Sequence, residues 1–335
     1  MSRIIYLSEA ETKQLLGMKE FLDYVEKAYL LYGQYQAGKI SGTFSPMVSF
    51  PATVEHSDID YRAGSIGSIP TICSTMGFGF WDNPSKFGLP SLWSIAALNS
   101  TENGMPLCLI HGYYLSVART GASSAVSSKY LAKKNPKTLG IIGSGILAKY
   151  MLKAHLEQFN NLEEALVWSR SKERREKFAS EMSMENPNLK IRAVSNPDEA
   201  VSEIDIVCTC TPSREPIVKD EWVRDGTHIN AFGADAKGKQ ELDPSILKRS
   251  KIVVDSIDQC IVGGEINVPL SQGLLKTSDV YAQIGEIVNG WKKGRLNDSE
   301  ITVMDSTGLS AVDAVCYYGA YEKALSRKIG VTLEL

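Results

Sequence analysis

The run Gly143-Ser144-Gly145-Ile146-Leu147-Ala148 holds the clearest chemistry in the chain. It follows an apolar stretch, Leu139, Ile141 and Ile142, and leads into residues that suit a helix. In a strand–turn–helix of this spacing, Gly143 permits the tight turn and Gly145 lets backbone approach a pyrophosphate. Ala148 lets the helix pack closely on the strand. The helix N-terminus, with Ser144, Ile146 and Leu147 around it, turns free N–H groups toward phosphate. The chemistry implied is dinucleotide binding. The tip of the next strand selects the cofactor. An NAD site usually places Asp or Glu there for the ribose hydroxyl, but this chain reads Ser169-Arg170-Ser171. A guanidinium matches phosphate oxygens in pairs, so Arg170, with hydrogen bonds from Ser169 and Ser171, fits a 2′-phosphate. NADPH is expected over NADH. Lys172, Arg174 and Arg175 read as a solvated helix face.

The elements that must position this turn follow in order. Strands are expected at 138–142, 164–168, 190–194, 205–210, 227–232 and 251–255, separated by helical or turn-rich segments. Strands alternating with helices predict a doubly wound parallel sheet. A domain-sized segment precedes it. Ser8 and Glu11 have capping-box spacing. Phe21, Tyr24, Val25, Ala28 and Tyr29 predict a helix over 18–36. From 41 to 110, short strands and turns such as Asp82-Asn83-Pro84 and Asn103-Gly104 predict a mostly antiparallel sheet. A helix over 115–132 leads into the dinucleotide-binding part.

Composition narrows the classes. At 335 residues the chain suits two domains. Net charge is −3 with no dense basic run, so nucleic acid is not an expected partner. No apolar stretch reaches about 18 residues, and the N-terminus lacks a signal-peptide core. The six cysteines include no C-x-x-C pair and read as reduced core residues of a cytoplasmic protein. Cys208 and Cys210 share a strand face, but two thiols without further ligands do not make a metal site.

Five segments together resemble the ornithine cyclodeaminase/mu-crystallin family. They are Ala118-Arg119-Thr120-Gly121-Ala122, the 143–148 turn, Gly226 through Asp235 with Gly238-Lys239 and Glu241-Leu242, Gly264-Glu265-Ile266, and Asp305-Ser306-Thr307-Gly308 with Asp313. The resemblance covers nearly the whole length. It implies an α/β protein in which a Rossmann-type doubly wound parallel sheet (129–307) is inserted into an α+β substrate and dimerisation domain (1–128 plus 308–335). It also implies a homodimer joined through the N-terminal sheets. Arg119 matches the arginine that holds the substrate carboxylate, and a guanidinium fork suits that task. Asp235 matches the catalytic aspartate, placed to stabilise an iminium and exchange a proton with the substrate nitrogen. Thr120 is expected near cofactor phosphate or substrate, Thr211 near the nicotinamide, and Asp313 near the substrate.

The departures from the family pattern fall at the substrate. The resemblance implies that relatives handling α-amino acids usually carry a lysine at or near the position of Thr75, with Met76 beside it. No lysine lies between Lys39 and Lys86. A second arginine expected near Thr43 is also missing. Arg62 either replaces one of these charges or lies on the surface. Phe78, Phe80, Trp81 and Trp93 either pack as core and interface or shape a more apolar pocket. His228, inside a strand run, reads as structural, and nothing in the spacing gives His111 a role.

The expected activity is NADPH-dependent oxidoreduction at a C–N bond of a small amino- or imino-acid-like substrate. That covers an imine or ketimine reductase, or an amino-acid or opine-type dehydrogenase. Two alternatives stay open: an ammonia-releasing cyclodeaminase with retained NAD, and a non-catalytic NADPH- and ligand-binding protein.

Overall fold

A computed structural model describes residues 3–334. The chain forms two compact units, Met1–Arg119 with Leu309–Leu335, and Thr120–Gly308. The expected boundary was at 128; the division falls at 119/120, within a helix.

The N-terminal segment contains β1 (Arg3–Leu7), α1 (Glu9–Leu15), α2 (Met18–Gln36), β2 (Gly42–Phe44), β3 (Val48–Phe50), β4 (Ser57–Ile66), β5 (Thr71–Phe80), α3 (Asn83–Lys86), β6 (Leu92–Ser100), β7 (Pro106–His111) and α4 (Tyr113–Leu131). The middle segment adds β8 (Thr138–Ile142), α5 (Ile146–Gln158), β9 (Glu164–Trp168), α6 (Lys172–Glu185), β10 (Lys190–Ala193), β11 (Ile206–Thr209), β12 (His228–Ala231), α7 (Pro244–Lys248), β13 (Lys251–Val254), α8 (Ile257–Gly263), α9 (Asn267–Ser271), β14 (Val280–Gln283), α10 (Ile284–Val288) and β15 (Thr302–Asp305). The chain then returns to the first unit with α11 (Ser310–Arg327) and β16 (Val331–Glu334).

In the first unit the sheet order is β16-β1-β7-β6-β5-β4-β2, with β3 also on β4. It is antiparallel except for the β1–β7 pair. The Ser8–Glu11 capping box forms as the spacing predicts. Side chains alternate across each strand, so the sheet has two distinct faces. Arg62, Gly64, Cys73, Thr75, Ala96 and Leu98 share the face that packs on α11. Small residues on α11, among them Ala311, Ala314, Gly319 and Ala320, are buried in that packing. A Cβ at Gly319 would collide with the Tyr24 ring, so glycine there lets α2 and α11 meet closely. Phe21, Tyr29 and Tyr317 are fully buried, each worth roughly 1.5–3 kcal/mol of apolar transfer.

The second unit holds an all-parallel sheet, β10-β9-β8-β11-β12-β15-β13-β14. This is a Rossmann-type doubly wound α/β sheet. The six expected strands all form, but the sixth does not adjoin the fifth. β15 lies between β12 and β13, and β14 extends the far edge. Neither β14 nor β15 was expected, although each has four residues like the expected β10, β11, β12 and β13. β15 is wholly buried, yet it begins and ends on polar residues, Thr302 and Asp305.

Candidate functional site

The glycine turn has the geometry its sequence predicts. Gly143 has φ +132°, which favours glycine, and a Cβ there would press on Cys210. Gly145 is the N-cap of α5. A Cβ at Gly145 would meet no protein atom within 4 Å. That open cradle, at the end of a 13-residue helix whose first N–H groups lack intrahelical partners, fits a dinucleotide pyrophosphate. Ile146 and Leu147 form the first turn of α5. The Ser144 hydroxyl donates to Ser169 Oγ at 2.8 Å, which joins the turn to the tip of β9.

At that tip Ser169 Oγ donates to the Ser171 carbonyl at 3.2 Å, and Ser171 Oγ caps α6 by accepting from Arg174 N–H. Arg170 is exposed. Arg175 departs from the expected solvated face: it is half-buried, and its guanidinium donates to the Ser169 carbonyl at 2.8 Å. Lys172 and Arg174 are exposed as expected.

Beyond β12, the Asp235 side chain is 47% exposed, and its Oδ1 lies 2.7 Å from Lys239 Nζ. Lys239 itself is buried. The i,i+4 pairing fixes the direction of the carboxylate and leaves part of it open to solvent. Thr211 is held from inside the protein. Its N–H and its hydroxyl both donate to Glu241 Oε1 at 2.7 Å, so its donors are engaged inside the protein. Thr120 is half-buried on α4, the first residue of the second unit.

In the first unit three elements bring Arg62, Arg119 and Asp313 together. Arg62 Nε lies 2.9 Å from Asp313 Oδ2, and Arg119 Nε lies 2.9 Å from Asp313 Oδ1. All three side chains are at most 14% exposed. Asp313 sits in the first turn of α11, where the helix dipole favours a carboxylate. The cluster keeps a net charge of +1, which suits one further carboxylate.

The β4–β5 register pairs Arg62 with Thr75. The arginine therefore stands directly across from the position at or near which the family resemblance leads one to expect a lysine, and Thr75 Oγ1 lies 3.5 Å from the Arg62 carbonyl. Met76 is not part of this group. It pairs with Tyr61 and points to the opposite face, because adjacent strand residues alternate.

The histidines are structural or peripheral. His228 is wholly buried between Thr302 Oγ1 (2.9 Å) and Asn230 Oδ1 (3.2 Å). Burial pushes it down to about 3. His111 lies 3.9 Å from Glu9 and edge-on to Trp93.

Residue types alone gave no sign of the buried acids behind the strand ends. Glu241, Glu265 and Asp305 are all fully buried. Burial raises Glu241 and Asp305 to about 7 and Glu265 well above the usual carboxylate range. Glu241-Leu242 and Gly264-Glu265-Ile266 stood out only as parts of family motifs. A lone acid between apolar residues can equally be a cap or a surface charge.

The second unit defines the class as a Rossmann-type dinucleotide-binding protein. The chain belongs to the ornithine cyclodeaminase/mu-crystallin family, whose sequence profile matches residues 4–328. It is 39% identical over 333 residues to alanine dehydrogenase of Archaeoglobus fulgidus, covering 97% of each chain. Among solved structures, an archaeal alanine dehydrogenase dimer with bound NAD superposes with a TM-score of 0.91 at 37% identity, covering 100% of both chains. Thermococcus litoralis Δ1-pyrroline-2-carboxylate reductase, solved with NADH and L-proline, superposes at 0.92 with 35% identity, covering 98% of this chain and 99% of that one. These relatives are NAD(P)-dependent oxidoreductases of amino and imino acids.

Proposed function

We propose that this protein is an NADPH-dependent oxidoreductase that reduces the C=N bond of a small imino acid, or oxidises the corresponding amine. The observation that carries the reading is the Arg62–Asp313–Arg119 cluster. It keeps a buried positive charge suited to a carboxylate, in a chain without the lysine that the family resemblance leads one to expect near Thr75. When bound, the dinucleotide supplies or accepts the hydride. The chain's own residues do the rest. Arg119 and Arg62 hold the substrate carboxylate, with Asp313 fixing both guanidiniums and Thr75 beside them. Asp235, directed by Lys239, exchanges a proton with the substrate nitrogen. Gly143, Gly145 and the first turn of α5 seat the pyrophosphate. Ser169, Arg170 and Ser171 meet the 2′-phosphate.

The test has two parts. Titration with NADPH and NADH should show tighter NADPH binding, and Arg170→Ala should abolish the difference. Equal affinities in the parent protein would remove the NADPH assignment. A panel of cyclic imino acids, and of 2-oxo acids with amines, should give NADPH oxidation. Asp235→Asn should bind cofactor normally and lose about 10²–10⁴-fold in turnover. Undiminished turnover in that variant would exclude Asp235 from proton transfer.

A further inference from the structure

Glu241 reaches two strand exits at once. Its Oε1 accepts from Thr211 N–H and Thr211 Oγ–H, each at 2.7 Å, and its Oε2 accepts from Gly233 N–H at 3.0 Å. Thr211 lies two residues beyond the end of β11, and Gly233 two beyond the end of β12. Those strands are parallel neighbours, with Thr209 paired to Ala231 at their last positions. A Cβ on Gly233 would run into both Glu241 Oε2 and the Thr211 backbone, so only glycine admits this clamp.

The same device is repeated behind it. Glu265 Oε1 accepts from the N–H groups of Glu241 and Leu242 at 3.0 and 2.7 Å. Asp305, the last residue of β15, accepts from Glu265 N–H at 2.9 Å and Ile266 N–H at 3.2 Å. Each carboxylate grips the backbone that carries the next, from the end of β15 to the exits of β11 and β12.

Three buried acids in line are a poor way to make a domain stable. Each loses its hydration, and their mutual repulsion adds to that cost. What the line does provide is a fixed backbone at one place. In open parallel sheets, ligands bind beyond the carboxyl ends of the strands, near the point where the strand order reverses. Here the order reverses between β8 and β11. The adenine-side contacts lie on β8 and β9, and the exits of β11 and β12 remain for the nicotinamide end.

We infer that Glu241 is a positioning residue: through Thr211 and Gly233 it fixes the two strand exits that seat the nicotinamide end of the dinucleotide. It is wholly buried and acts only through those backbones. The inference rests on the dinucleotide-dependent reading above.

Glu241→Gln tests it in the full-length protein. The amide keeps the shape but turns an NH2 toward one of the two N–H donors. Dissociation constants are measured for NADPH, and for adenosine 2′,5′-bisphosphate as a probe of the adenine side alone. Steady-state kinetics and the thermal midpoint are recorded alongside. The bisphosphate should bind within about twofold of the parent value, while NADPH weakens about tenfold. kcat should fall as well, and the emission of bound NADPH should change. Glu241→Asp, which keeps the carboxyl group but is too short to reach both exits, should show the same split.

Equal weakening of both ligands, tracking a lowered thermal midpoint as in Glu265→Gln, would make Glu241 merely structural and overturn the inference. So would no change in either ligand. A parent protein that binds neither of these ligands nor NADH overturns the dinucleotide reading itself, and this inference with it.

Discussion

Arg62 and Arg119 share one carboxylate, Asp313, at equal distances of 2.9 Å. Removing either arginine leaves Asp313 its other partner, so the fold should survive while substrate binding suffers. A hydrogen bond to a charged group is worth roughly 1.5–3 kcal/mol, so Arg62→Gln and Arg119→Gln should each raise KM about ten- to a hundredfold. NADPH affinity should not change. An unaltered KM in Arg62→Gln would show that this arginine serves only Asp313. The role of Arg62 was only half legible in the sequence. The missing lysine shows in the residue count, but what faces Thr75 depends on strand register, and register is set by the β4–β5 pairing rather than by any local motif.

At the scale of elements, a polar line crosses the second unit from α5 through α4 and β12 to β15. His155 Nε2 meets Ser128 Oγ at 2.9 Å, Asn230 Nδ2 donates to Ser128 Oγ at 2.8 Å, and Asn230 Oδ1 meets His228. Burial lowers His155 to about 4 and His228 to about 3, from an ordinary 6.5. The unfolded chain therefore binds more protons below pH 6.5, and these two groups lose stability as pH falls toward 4 and 3. Glu241 and Asp305 have the opposite sign. Raised to about 7 from 4.5 and 3.8, they hold protons in the fold that the unfolded chain has released. Their stabilisation is present at low pH and is lost as pH rises to 7. The two trends oppose each other between about pH 4.5 and 6.5. His155→Gln removes one histidine contribution, so its urea midpoint should fall more between pH 5 and 6.5 than the parent's. A parallel curve would refute the assignment of these shifts. The glycine turn and six strands could be read from local pattern because each carries its own signal. β14, β15 and the acid line could not, since their meaning lies in which backbone each one touches.

For the whole molecule, the outer face of the first unit's sheet is unusually apolar. Val48, Phe50, Tyr61, Trp93 and Ile95 are all exposed, and the pairings place them on one side with Met76 and Phe78. A contiguous apolar sheet face of this kind marks an interaction surface. The archaeal alanine dehydrogenase relative is a dimer, and a second copy of this chain is the occupant we propose. Ile95→Glu should halve the mass seen by sedimentation equilibrium while leaving far-ultraviolet dichroism intact. A parent protein that sediments as a monomer would exclude this use of the face. No helix among the described residues is long and apolar enough to cross a membrane. Of the aromatics anticipated as either pocket or packing, Phe78, Phe80 and Trp93 all fall on this outer side.

Both sheets finish late in the chain. β15 sits inside the parallel sheet between β12 and β13, and β16 pairs with β1 at the edge of the other. α11, which covers β4 and β5, also comes after β15. During synthesis, then, neither unit has its full set of strands until the ribosome has passed residue 302. The early strands wait with an apolar face uncovered while the dinucleotide-binding part is made. The second unit has its last strand by residue 305, and α11 and β16 close the first only afterwards, so the unit begun first is the last to be covered.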